Sequence, residues 1–367
     1  MRLSKDEIQK IKDQNHTNTL YSFSRLSRWE QSRYEYFLNY VQHIKPDRND
    51  CCYGSLGGAV HDILEKFYSD DTESGELEYD DMLEEFDDAY FTNIEVLDLK
   101  FDRNVSEQND KLAGRWYNNV RDFFLNHRTI PYQVKCEQPA VIKVNNGALI
   151  GYIDAVYDDG DYLNIVDWKT SSMSGFTPDH IHEKSRQLIL YALSFVQNGT
   201  PLEKIKCKYN MLKYCTITYR QRNGKIKSMN VERRLLNEKL VTPARIYLRQ
   251  FGYDVDEYSK EVLDYGYNAL PDDVKAEIKI TDCWLEVPLD EKIVENTKKW
   301  AEKTIKEIEA TIDEYYKTKD EALFEDSIEA VEKESYYYST LSSFSAELNP
   351  CYKKYLMSLE KKDDIWS

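Results

Sequence analysis

Residues 151–170, GYIDAVYDDGDYLNIVDWKT, hold two runs rich in Ile, Val and Tyr on either side of Asp159-Gly160. That dipeptide favours a type I′ turn, in which both central residues take positive φ, so the stretch predicts a β-hairpin. With those two residues as the loop, Asp158 faces Asp161 and, counting back, Asp154 faces Ile165. Side chains alternate along a strand, so Asp154, Asp167 and Lys169 then share a face. The two carboxylates become diagonal neighbours, ~7–8 Å apart at the backbone and able to share an ion at their tips. A loop one residue longer would turn Asp154 to the other face, which makes the turn decisive.

On either side of the hairpin, the pattern predicts alternating strands and helices. Residues 134–144, VKCEQPAVIKV, read as a strand carrying Glu137, and 182–196, HEKSRQLILYALSFV, as a helix with Gln187 and Tyr191 on one side. Residues 106–127 predict a helix whose inner side holds Leu112, Trp116, Val120, Phe123 and Phe124. Further upstream, GSLGGAVHDILEKFY, residues 54–68, opens with glycines that permit close backbone approach and sets His61 and Glu65 four apart. A histidine beside apolar residues reads first as a core or surface residue. Residues 21–41 form an amphipathic helical pattern with Arg25, Arg28 and Arg33, either a solvated face or phosphate contacts.

A chain of 367 residues has ample material for one large core or two ordinary ones. It lacks a signal-type apolar stretch and any run long enough for a membrane helix, which predicts a cytoplasmic protein with no membrane partner. Seven scattered cysteines without a CxxC pair fit reduced thiols. The net charge of −17 argues against a phosphate-binding surface until its distribution is considered. From Asp70 to Asp98 there are thirteen acidic and no basic residues, whereas Lys204 to Arg249 holds thirteen Lys or Arg against Glu232 and Glu238. The acidic stretch reads as a solvated helix and its flanks.

The basic stretch begins as a strand from Ile205 and turns at Arg222-Asn223-Gly224-Lys225 into a second hairpin. Lys206, Lys208, Lys213, Arg220, Arg222, Lys225 and Lys227, interleaved with tyrosines, suit a groove that follows phosphates and stacks bases. With Arg25 and Arg28 they are the candidate nucleic-acid contacts. The rest is mainly helical, and no P-loop is present, so the chain carries no ATP-driven motor.

Carboxylates with an imidazole can hold Mg²⁺ or Mn²⁺, and a nearby lysine can orient or deprotonate water, which is the equipment for phosphodiester hydrolysis. Asp-x-Lys alone is a weak pattern. The order Gly57 to His61, Asp154, Asp167-Trp168-Lys169 and Gln187-x-x-x-Tyr191 is more specific: over roughly 20–215 it resembles the RecB-type branch of the PD-(D/E)XK nucleases. The resemblance implies His61, Asp154, Asp167 and the Trp168 carbonyl as metal ligands, Lys169 as the catalytic lysine, and Glu137, Gln187 and Tyr191 as supporting active-site residues.

It also implies an α/β fold: a restriction-endonuclease-like mixed central β-sheet of about five strands, flanked by helices, with helical amino- and carboxyl-terminal elaborations. The chain then divides into a helical region 1–130 supplying the histidine, a core with the basic hairpin over 131–235, and a mainly helical region 236–367. Many such relatives carry an iron-sulfur cluster on four cysteines. Here Ser32, Ser339 and Ser342 stand where cysteines are expected and Cys351 alone remains, so no cluster is expected and packing or hydrogen bonding should join the chain ends.

The expected activity is that of a Mg²⁺- or Mn²⁺-dependent DNA exonuclease of recombination, repair or phage DNA metabolism in a bacterial or phage-infected cell. A helicase, recombinase or single-strand-binding protein is the expected partner class. The alternatives are a structure-specific endonuclease, or a DNA-binding or assembly subunit with a vestigial site.

Overall fold

The computed structural model describes residues 3–69, 79–145, 147–177 and 180–366. Seven strands form one mixed sheet: β1 (Leu20–Tyr21), β2 (Lys135–Val144), β3 (Gly147–Asp158), β4 (Leu163–Lys169), β5 (Ile205–Arg220), β6 (Ile226–Glu232) and β7 (Ile278–Val287). β2, β3, β4, β5 and β7 make its five-strand body. β4 and β5 run parallel through the crossover helix Arg186–Gln197, and the remaining neighbours within the body are antiparallel. The two-residue β1 pairs with the start of β3, and β6 with the second half of β5. β7 comes from the carboxyl-terminal region expected to be mainly helical, and it runs along nearly all of β5.

The decisive hairpin forms with a different turn. Asp158 pairs with Leu163, and the Asp159 amide donates to the Tyr162 carbonyl at 3.1 Å, which leaves Gly160 and Asp161 at the tip. Gly160 has φ 90°, and the Asp159 carboxylate accepts from the amides of Asp161 and Tyr162. This moves the register by two residues from the Asp158–Asp161 pairing. An even shift preserves the faces. Continuing the ladder one step past Ala155–Val166 sets Asp154 directly opposite Asp167 rather than Ile165.

Each side of the sheet carries its own helical layer. One cluster gathers Ile165, Tyr209 and Met211 against the crossover helix, the helix Phe23–Gln31 and the long helix Glu291–Thr318. The crossover helix buries every residue from Leu188 to Ser194, so it is apolar all round and lies inside the protein. The other cluster sets Ala155, Val166 and Trp168 against the helices Cys52–Tyr68, Tyr79–Phe91 and Ser106–Asn126. In the first of these, Cys52, Leu56, Val60, Ile63 and Leu64 follow the helical repeat and fix the face on which His61 emerges. A third cluster covers the far half of β5 with the helices Leu236–Phe251 and Val255–Tyr265. Of the acidic stretch, residues 70–78 lie outside the described residues; within the helix that follows, Met82 and Phe86 are buried.

The chain ends are joined by hydrogen bonds around two carboxylates. The Ser32 and Tyr338 hydroxyls donate to Asp326 at 2.9 and 3.2 Å, as do the Arg33 and Tyr34 amides, while the Asp326 amide donates to Cys351 Sγ at 3.4 Å. Buried Glu35 receives Ser342 Oγ at 2.6 Å, the Tyr337 hydroxyl, and Arg28 at 3.1 Å. Burial is the main influence on Glu35 and pushes its carboxyl up to about 7, against the opposing pull of Ser342 and Arg28.

Candidate active site

β3 and β4 present Asp154, Asp167 and Lys169 on one face, and neighbouring elements complete the group. The helix Cys52–Tyr68 brings His61 to the end of β4, where Nε2 lies 2.8 Å from the Trp168 carbonyl and Nδ1 3.5 Å from Asp154 Oδ2. The same Asp154 oxygen accepts from the Trp168 amide at 3.0 Å. Trp168 is held on the opposite face, 1 % exposed, stacked on Tyr68 and edge-on to His61. That anchorage turns its carbonyl toward the imidazole.

Two carboxylates with little access to water repel each other. Burial first, then Asp167, raise the Asp154 pKa above its ordinary value, against the opposing pull of His61 and Lys169. The Lys169 ammonium lies 2.6 Å from Asp167 Oδ2, an ion pair within the recess. Burial disfavours the ammonium, but Asp167 outweighs it and the Lys169 pKa is raised.

A divalent cation fits this surplus of acceptors. A neutral imidazole has one N–H, so with oxygens facing both His61 nitrogens, one must face a lone pair. Asp154 and Asp167 add two neighbouring carboxylates that share the single Lys169 ammonium. His61, Asp154, Asp167 and the Trp168 carbonyl could therefore hold a hard cation. Among the described residues no three His, Cys, Asp or Glu side chains form a closed cage; a main-chain oxygen completes this set, and Lys169 leans on Asp167.

Glu137 falls between the ladder pairs Cys136–Ala155 and Gln138–Ile153, opposite Asp154, and has φ 48°. Glu137, Asp154 and Asp167 thus lie in one row across three strands. A left-handed backbone at a residue with a Cβ costs roughly 1–2 kcal/mol. Glu137→Gly is therefore expected to raise the urea midpoint, with a gain of up to ~1 kcal/mol, while lowering any catalytic rate that uses this carboxylate. Equal loss of stability and rate would mean that the strain is not stored there.

Gln187 and Tyr191 come from the crossover helix, with Gln187 Nε2 donating to the Tyr191 hydroxyl at 2.9 Å. The Tyr191 pKa is raised, first by burial and further by Asp154, Asp167 and Glu137, which places its hydroxyl in the field of all three carboxylates. Sequence reasoning missed Gly151. A Cβ there would lie 2.6 Å from Tyr191 Cε1, so only glycine lets this ring pack over β3. The available signal was a glycine inside a strand rich in β-branched residues.

A cleft of about 550 Å³ leads to Glu137, Gln187 and Tyr191 from Ser22, Ser27 and Arg28. Arg28 is partly occupied by Glu35 and by the Tyr337 ring, and Arg25 lies among the rings of Tyr21, Tyr36 and Tyr40. The basic tract divides. Lys206 pairs with Asn164 and Lys208 with Val166, so both point to the Trp168 face, away from Asp167 and Lys169. Arg220, Arg222, Lys225 and Lys227 surround the tip of the β5–β6 hairpin, roughly 30 Å along the strand from Met211, the partner of Lys169. Only Lys213 lies close to the end of β4, in a cavity shared with Thr170, Ser171 and Ser172.

No helix among the described residues is long and apolar enough to cross a membrane, and all seven cysteines are free. No curated protein matches the chain. The model of the PD-(D/E)XK nuclease superfamily matches residues 21–322, most of the chain and all of the group just described, and the chain belongs to that superfamily.

Proposed function

We propose that the chain is a metal-dependent DNA exonuclease of recombination, repair or phage DNA metabolism. The observation that carries this reading is the meeting of His61, Asp154, Asp167, the Trp168 carbonyl and Lys169 in a member of a nuclease superfamily. In it, the first four hold Mg²⁺ or Mn²⁺. Such an ion, when bound, polarises the phosphoryl group and lowers the pKa of water.

Lys169, held against Asp167, is placed to donate to the attacking water or to a phosphate oxygen. Glu137 extends the row of carboxylates toward the cleft and orients water there. Tyr191, fixed by Gln187, walls the same cleft. The recessed carboxylates, with Asp167 4 % and Asp154 14 % exposed at the side chain, favour a strand end over the flank of a continuous duplex. The absence of an iron-sulfur cluster belongs to this reading, supported by the hydrogen bonds that Ser32 and Ser342 make to Asp326 and Glu35.

The test is labelled linear and closed-circular DNA incubated with Mg²⁺, with Mn²⁺ and with EDTA. Linear DNA is expected to shorten only with a divalent ion, and circles to survive. Nicked circles would replace the exonuclease with a structure-specific endonuclease. An inert wild-type protein that still binds DNA would make it a binding or assembly subunit. A helicase, recombinase or single-strand-binding protein is the partner class that would supply an accessible strand.

A further inference from the structure

A second cavity, of about 480 Å³, opens beside the strand that ends at Lys169; Thr170, Ser171 and Ser172 form part of its wall. Tyr53, Trp116, Tyr214 and Tyr336 contribute aromatic surface, and Lys213 and Arg115 contribute charge. Tyr336 is 59 % exposed, so its ring stands at the rim rather than in the core. The Tyr214 hydroxyl accepts a long bond, 3.4 Å, from the Met173 amide, which ties this wall to the loop leaving the active-site strand.

The charges in the cavity do not balance. Among the described residues that line it Glu232 is the sole carboxylate, and it is already claimed by Arg115, by Arg234 at 2.8 Å and by Asn119 at 3.3 Å. Lys213 is half-buried and has neither an ion pair nor a hydrogen bond among the described residues. Burial, and then the neighbouring Arg115, lower its pKa to about 8, with Glu232 opposing, so it is still a cation at neutral pH. A partly buried ammonium beside a second cation is a costly arrangement that an incoming anion would relieve.

We infer that this cavity is a nucleotide subsite, in which Lys213 takes a phosphate of the substrate strand and the aromatic wall, led by Tyr336, stacks an unpaired base. The inference rests on the nuclease reading and adds a substrate class to it: DNA with an unpaired strand at the site. A paired base has both faces covered and cannot enter such a cavity, whereas stacking on an aromatic ring is open to any unpaired base. The polar cleft includes Glu137, which lies opposite Asp154 on the neighbouring strand, and the aromatic cavity includes Thr170, which follows Lys169, so each adjoins the carboxylate group through one of its own residues.

Equilibrium binding without metal tests the subsite independently of catalysis. Fluorescein-labelled oligo-dT and a blunt duplex of equal length are titrated in EDTA over a series of salt concentrations. Wild-type protein is expected to prefer the single strand. Tyr336→Ala, a change at an exposed position, is expected to weaken oligo-dT binding by ~10-fold with no change in salt dependence. Lys213→Met is expected to weaken it similarly and to reduce the salt slope by about one, while Lys213→Arg restores both.

Unaltered binding by folded Tyr336→Ala and Lys213→Met, or equal wild-type affinity for the duplex, would overturn the subsite. Failure of the nuclease reading has a different sign: the wild type then leaves linear DNA intact with Mg²⁺ or Mn²⁺, whatever the outcome of the metal-free titration.

Discussion

Lys169→Ala is expected to slow cleavage of linear DNA by ~10²–10⁴-fold, the range lost when a positioned proton donor or acceptor is removed. The ammonium lies against Asp167 in a recess with little water, where a charge aimed at the phosphoryl group is worth most. Single-turnover rates at saturating Mg²⁺ would measure the loss, and a decrease below ~10-fold would remove Lys169 from the chemistry. Asp154→Asn should also abolish cleavage, with a different effect on folding. The Asp154 carboxyl has a folded pKa above its ordinary value of 3.8, so the folded state holds the proton more tightly than the unfolded chain does. The metal-free protein should therefore lose stability as pH rises from about that value through the raised folded pKa. Asp154→Asn should flatten this loss. Added Mg²⁺ should reverse it in the wild type alone, because an ion bound to the folded state shifts the unfolding equilibrium. Urea midpoints across pH, with and without Mg²⁺, check all three.

The hairpin shows what was legible in the sequence and why. Its existence followed from two β-rich runs around a turn dipeptide, and its facing from strand alternation. The turn was misplaced, yet Asp154 and Asp167 still share a face, because the error in register was even. Glu137 was recognisable as an acidic residue on the preceding strand, but its positive φ was not, since nothing local demands it. The proximity of His61 to Trp168 depends on how a helix packs over a distant strand, which spacing alone does not encode; only the resemblance pointed to it.

The basic tract was the least legible part. Its charges looked continuous along the chain, but alternation sends Lys206 and Lys208 to one face, and the length of β5 carries Arg220 to Lys227 away from the carboxylates. Lys213 stays near them because it follows Met211, the partner of Lys169, by two residues; across the same stretch the β5–β7 register slips, between Asn210 and Cys215, an irregularity that strand periodicity cannot anticipate.

What holds that irregularity in place leads to the largest expected change in stability. Arg233, 4 % exposed, donates through Nε to the Leu212 carbonyl at 2.9 Å and through Nη2 to Asp282 Oδ1 at 2.5 Å, spanning the slip from β5 to β7. Asp122 lies 3.6 Å from its other arm, and buried His127 faces the second Asp282 oxygen at 3.6 Å. Asp282→Ala removes one partner and leaves a buried guanidinium short of charge. The expected cost is ~3–5 kcal/mol, more than a well-packed apolar replacement of the whole group would incur. Burial disfavours the Asp282 carboxylate, but His127 and Arg233 prevail, and its folded pKa lies below the ordinary 3.8. Its contribution is therefore complete above that value and is lost as pH falls through the folded pKa. Urea unfolding of wild type and Asp282→Ala at neutral pH and at successively lower pH should show a large gap that narrows only in the acid range. Because Leu212 precedes Lys213, the same substitution should also loosen the cavity at the end of the active-site strand, and hydrogen exchange at Leu212 to Tyr214 should rise before global unfolding. A gap below ~1 kcal/mol at neutral pH would mean that β5 keeps its slip without the Arg233–Asp282 pair, and that burial of Leu212 in the core cluster it shares with Trp168 is what holds Lys213 beside the site.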